Sequence, residues 1–114
     1  NDMHLKNFSL LKRDLGYGLC PAYDLLATEI VVEGDDEDLA LNLNGKKKKI
    51  TKNDFETAMK GAGLDSKVID NIFKRYKKLI PKWYKFIEKS FLNDSMKDEY
   101  KSLVENKAAQ IKLK

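Results

Sequence analysis

At 114 residues the chain is the length of one domain, enough to bury a single core and not two. Hydrophobic residues make up 42% and charged residues 35%, which excludes a disordered chain, and no apolar run approaches the roughly 20 residues that span a bilayer. The net charge of +4 hides a division: residues 1–45 hold three bases against nine acids, a balance of −6, and residues 46–114 hold nineteen against nine, a balance of +10.

An acidic half suits a divalent cation and a basic half suits phosphate or an acidic partner; either is equally a solvated surface. The one cysteine, Cys20, has no partner for an internal disulfide, which fits a reducing cytoplasm, and beside Pro21 it reads as packing.

In chain order, Asp2, His4, Lys6 and Asn7 come first, in one short polar loop. The run "NFSLLKRDLGYGLCPAYD" reads as a β-hairpin: Phe8 to Lys12 as a strand, "RDLGYG" as the turn, and Leu19 as the start of the return strand. Pro21 ends that strand, so Asp24 is expected just past it. The acidic run "EGDDED" at 33–38 reads as a solvated loop, because it lacks the spaced ligands and distal Glu of a calcium loop.

A second hairpin is expected over 39–50. Leu39, Leu41 and Leu43 alternate, Asn44-Gly45 is a strong turn signal, and lysines 46–49 form a polar return strand. The period then becomes helical. Thr51 with Asp54 makes a capping box, Gly61 and Gly63 stop that helix, and Asp65 caps the next. In the latter, Ile69, Ile72, Phe73, Tyr76, Leu79, Ile80, Trp83 and Ile87 keep 3–4 spacing through Pro81, which is expected to kink the helix without ending it. Ser95 with Asp98 is read as the box opening the last helix.

The chemistry lies in the first segment. A carboxylate such as Asp2 can accept a proton from an attacking hydroxyl. The Asn7 amide oxygen and the Asp24 carboxylate are hard donors of the kind magnesium takes. Phosphoryl transfer needs these parts, and the protein-kinase catalytic loop has the same Asp-to-Asn spacing, followed by a strand pair and a metal-binding Asp. From the residues alone, the other reading stays open: Asp2 and Asn7 as turn-formers, and Asp24 as a helix cap before "LLATE".

"DMHLKNFSLL" followed by "LCPAYDLLATE" resembles the HipA family, serine/threonine protein kinases that act as toxins in bacterial type II toxin–antitoxin pairs. That family shows an Asp-x-His-x-Lys-Asn-Phe-Ser loop and a Pro-x-Tyr-Asp element, both intact here; "LALNLNGKKKKITKNDF" resembles its C-terminal region. The resemblance implies Asp2 as catalytic base, Asn7 and Asp24 as magnesium ligands, and His4 in support of the loop. It leaves Lys6 as either a phosphate contact or a solvent-facing lysine. It further implies ATP and Mg2+ as cofactors, a protein substrate, a DNA-binding antitoxin as partner, and a cytoplasmic location.

The expected fold is α+β, mainly α: residues 1–114 as the helical C-terminal part of a kinase-like C-lobe, with two short N-terminal β-hairpins. Within that single domain, 1–28 carries the catalytic loop and metal motif, 39–50 the second hairpin, and 51–114 the helices. Glycine-rich phosphate loop, strand lysine and adenine hinge are missing from the sequence, and it opens without Met against its own site loop. It therefore reads as part of a longer kinase, with an N-terminal kinase region elsewhere and no phosphotransfer by this stretch alone. Two alternatives remain. One is a small-molecule kinase of the aminoglycoside or choline type, against which "PAYD" speaks. The other is a non-catalytic basic helical module that binds protein or DNA. With His4 as the only histidine, no second imidazole is present to share a zinc site.

Overall fold

The computed structural model describes residues 3–113. Two compact units divide the chain, residues 1–49 and 50–114.

In the first unit a single 3₁₀ turn, Leu5–Asn7, leads into an antiparallel pair, β1 (Leu10–Arg13) and β2 (Gly16–Leu19). The register sets Leu10 against Leu19 and Arg13 against Gly16, so the loop is only Asp14 and Leu15. The return strand thus begins three residues before Leu19, the expected start, and ends there. Gly16 allows the tight reversal, with φ of +124°. The ladder closes on a bond from the Cys20 N–H to the Ser9 carbonyl (2.8 Å). Beyond Pro21 a one-turn helix, α1 (Thr28–Val31), precedes the acidic run.

The second expected hairpin is not a strand pair. Asn44 and Gly45 do form the tight turn, both at positive φ, but pairing around them is one isolated bridge between Leu43 and Lys46. The lysine run is bonded elsewhere. The Lys47 carbonyl accepts from both the Asp38 and Leu39 N–H groups, Lys47 pairs with Glu37 (3.8 Å), and Lys48 pairs with Asp36. The lysine run folds back on the acidic run and does not extend as a sheet edge. A hydrogen bond to Asp36 and the surrounding acids hold the Lys48 ammonium above its ordinary pKa. Asp35 accepts from the buried Thr28 hydroxyl, so part of the acidic loop is fixed and not merely solvated.

The second unit is three helices, α2 (Lys52–Gly61), α3 (Ser66–Glu88) and α4 (Asp94–Gln110). The start of α2 is the reciprocal box read from sequence. The Asp54 carboxylate accepts from the Thr51 N–H (2.9 Å) and hydroxyl (2.7 Å), and is itself buried. Gly63, at φ of +87°, closes α2 with a bond from the Leu64 N–H to the Met59 carbonyl (3.1 Å). Asp65 caps α3 through the Val68 N–H (2.9 Å).

α3 continues through Pro81 as one element, which the unbroken apolar period implies. Pro81 and the Lys77 four residues before it are exposed, so the missing hydrogen bond falls on the side where water can replace it. The cap of α4 differs from expectation. The Asn93 Oδ1 accepts from the Met96 N–H (2.9 Å), which starts the helix at Asp94 and leaves Ser95 inside it. Ile69, Phe73 and Ile80 of α3 pack with Ala108 and Leu113, flanked by Phe55, Met59, Trp83 and Val104. The Gln110 amide donates to the Ile50 carbonyl (2.7 Å), tying the end of α4 to the start of the unit. The fold is α+β and mainly α, as the sequence implies, with one hairpin where two were expected. Among the described residues no helix is long and apolar enough to cross a membrane.

Candidate active site

Of the five residues singled out in the sequence, Asp2 lies outside the described residues. His4 and Lys6 are exposed, Asn7 is buried at 4% accessibility, and Asp24 is exposed. Asn7 closes the 3₁₀ turn, and both ends of its amide are used. Its Oδ1 accepts from the His4 backbone N–H (3.1 Å), and its Nδ2 donates to the Asp24 Oδ2 (2.8 Å). The second bond spans 17 residues, across the whole β1–β2 hairpin.

Asp24 reaches Asn7 by a backbone route that most residues avoid. Its φ is +52°, in the left-handed region, where Asp and Asn are the side chains best tolerated after glycine. Such a conformation costs about 1 kcal/mol or more and persists where the surroundings over-determine it. Here the surroundings are polar. The Tyr23 hydroxyl lies 2.5 Å from the Ser9 hydroxyl and donates to the Lys6 carbonyl (3.3 Å). Two consecutive residues, Tyr23 and Asp24, therefore grip the loop at Lys6, Asn7 and Ser9.

Lys6 contributes its carbonyl to this clasp, while its ammonium stays on the exposed side. The His4 main chain orients Asn7. Ser9 and Tyr23 were not singled out by the sequence reading. The signal for them was present: both are fixed members of the two motifs, the Ser of Asn-Phe-Ser and the Tyr of Pro-x-Tyr-Asp.

The chemical content is a carboxylate and a carboxamide, hard oxygen donors, brought side by side by a hairpin. Asp24 keeps its Oδ1 beyond the bond to Asn7, and the Asn7 oxygen keeps a second lone pair beyond the His4 N–H. Among the described residues no group of three or more His, Cys, Asp and Glu side chains could hold a metal ion.

The family model described as HipA-like C-terminal domain matches residues 1–84. This chain belongs to the HipA-like C-terminal domain family. No curated protein matches it. The matched span covers the Asn7–Asp24 site, the hairpin, the acid–lysine clamp, α2 and most of α3. α4 lies beyond the match, yet within this HipA-like domain it supplies Ala108 to the core of the helical unit.

Proposed function

We propose that this HipA-like domain is the C-terminal part of a serine/threonine protein kinase that moves a phosphoryl group from ATP to a protein hydroxyl. The observation that carries the reading is the bond between Asn7 and Asp24, made across 17 residues with Asp24 in a left-handed conformation. Turn-forming or capping alone requires neither.

In this reading Asp2 takes the proton of the attacking hydroxyl. The Asn7 Oδ1 and the Asp24 carboxylate are the groups that would hold magnesium; the donor set fits, since magnesium takes one or two protein oxygens and fills its shell with water and phosphate oxygens. Bound magnesium and ATP supply the transferred group and neutralise its charge. His4 fixes the Asn7 amide through its main chain, and the Lys6 ammonium is free to face a phosphate. Family kinship further supports a toxin role in the cytoplasm, restraint by a DNA-binding antitoxin, and completion of the ATP site by an N-terminal kinase region.

The test is phosphotransfer by the intact kinase. Asp2→Asn should lower the chemical step by about 10²-fold or more, and Asp24→Ala should remove magnesium-dependent transfer. A wild-type rate from either variant overturns the role given to that residue. The purified 114-residue chain should transfer no phosphate, and turnover by it would refute the need for a further region.

A further inference from the structure

α3 has two opposite faces. At about 100° per residue, Ile69, Phe73, Ile80 and Ile87 fall on one side, and all four are buried. On the other side Lys67, Lys74, Arg75, Lys78, Lys82 and Lys85 share an arc of about 100° that extends about 27 Å along the helix. All six are exposed. From Asn71 to Ile87 the helix contains no acid. Its two acids, Asp70 and Glu88, lie outside the arc, and Glu88 is taken by Lys101 of α4.

Charge pairing elsewhere makes this stripe conspicuous. Lys47 and Lys48 pair with the acidic loop, Lys52 with Glu56, and Lys97 with Asp94. Among the described residues no ion pair involves any of the six cations on the arc. Four of them, Lys74, Arg75, Lys78 and Lys82, border one open stretch of surface together with Asn71 and Leu79.

We propose that this stripe binds the phosphate backbone of duplex DNA. Lys74, Lys78 and Lys82 recur once per turn, about 6 Å apart, as a row of point charges along a rod. Such a row neutralises phosphates without reading sequence. A protein partner would want an apolar or aromatic anchor at the centre of the contact, and the arc has none. Single strands need successive aromatic platforms, whereas only one exposed ring, Phe86, borders the arc. A membrane surface would require the apolar face of the helix, which is committed to the core.

The experiment is fluorescence anisotropy of the full 114-residue chain with a labelled duplex of about 20 base pairs of mixed sequence, titrated at increasing salt. Binding should weaken steeply with salt. Lys74→Gln/Lys78→Gln/Lys82→Gln should flatten the slope of log K against log salt by about 2.7, at about 0.9 per phosphate contact, with unchanged circular dichroism. The control Lys12→Gln/Lys60→Gln/Lys112→Gln removes the same charge from exposed positions off α3 and should leave the slope nearly unchanged. Absence of binding at low salt overturns the proposal. So does an equal loss in both triple variants, or equal affinity for single-stranded DNA or polyglutamate.

Discussion

The Tyr23 hydroxyl lies 2.5 Å from the Ser9 hydroxyl, one residue before the carboxylate that meets Asn7. This pair fixes the approach of the two segments that the hairpin connects. Tyr23→Phe removes both the Ser9 contact and the bond to the Lys6 carbonyl while keeping the ring. Each bond is worth about 0.5–1.5 kcal/mol, so the convergence of Asn7 and Asp24 should loosen without being lost. On the proposed kinase reading, the expected result in the intact protein is a several-fold rise in the magnesium concentration needed for half-maximal phosphotransfer, read from magnesium titrations. Ser9→Ala should give a smaller rise, since the bond to Lys6 survives.

Asp24 separates backbone from charge in a way that two substitutions can resolve. Asn tolerates the left-handed φ of +52° and can still accept from the Asn7 amide, but carries no charge. Asp24→Asn should therefore keep the local structure and weaken magnesium-dependent transfer by about 10-fold or more. Asp24→Ala should lose the bond and strain the backbone as well. Amide-resolved NMR of the chain checks the difference: the Asn7 side-chain resonances should shift little in Asp24→Asn and strongly in Asp24→Ala.

The capping box at the start of α2, with Asp54 buried and Thr51 exposed, contributes to the stability of the helical unit. Asp54 accepts from both the N–H and the hydroxyl of Thr51 at 1% accessibility, so Asp54→Ala leaves two donors without their acceptor. The cost should be about 1–3 kcal/mol, and Thr51→Ala should cost about 1 kcal/mol. Urea denaturation followed at the helical circular dichroism band reads both. An Asp54→Ala variant as stable as wild type would show that the box is not what starts the helix.

These elements differ in how far the sequence announces them. α2 and α3 were legible because caps and apolar period agree: Thr51 with Asp54, Asp65, and the stripe from Ile69 to Ile87. The start of α4 was misread because Asn93 is as good a cap as Ser95 and comes first; once its oxygen takes the Met96 N–H, Ser95 is inside the helix. The second hairpin was misread because the Lys47 carbonyl takes the Asp38 and Leu39 N–H groups, with lysines 47 and 48 beside acids 37 and 36, a pairing that alternation cannot express. At the site, residue types were legible in the motifs. The motifs implied that Asn7 and Asp24 converge, but not the direct bond between them, which depends on a left-handed φ that no periodicity encodes. Asp2 lies outside the described residues, so its expected role still stands on the motif.

The pair Glu88–Lys101 joins α3 to α4 and should respond to pH at both ends. Its hydrogen bond and charge attraction hold the Glu88 carboxyl below its ordinary 4.5 and the Lys101 ammonium above its ordinary 10.5. Glu88 thus contributes stability above 4.5 that is lost as pH falls through its lowered folded value. Lys101 contributes stability below 10.5 that is lost as pH rises through its raised folded value. Glu88→Gln should lower Tm slightly between those limits and have no effect beyond either end. Both side chains face water, so added salt should shrink the difference. Thermal melts of the two proteins at acid, neutral and alkaline pH check the window.

The end of α4 repeats the device that closes α2, with a different residue at the critical place. The Leu113 N–H bonds to the Ala108 carbonyl (2.8 Å) and the Lys112 N–H to the Ala109 carbonyl (3.0 Å), with Lys112 at φ of +55°. Gly63 occupies the matching position after α2 at φ of +87°. A lysine there carries the Cβ clash of the left-handed conformation, about 1–2 kcal/mol, which glycine removes at an entropic cost of about 0.5–1 kcal/mol. Lys112→Gly should therefore stabilise the helical unit by up to about 1 kcal/mol, a rise readable in urea denaturation. Leu113, buried at 6% accessibility just beyond the turn, would hold the same seat in the core. Lys112→Ala, which keeps the Cβ, should give no such gain; equal stabilisation by both substitutions would place the benefit in the lost charge and not in the backbone.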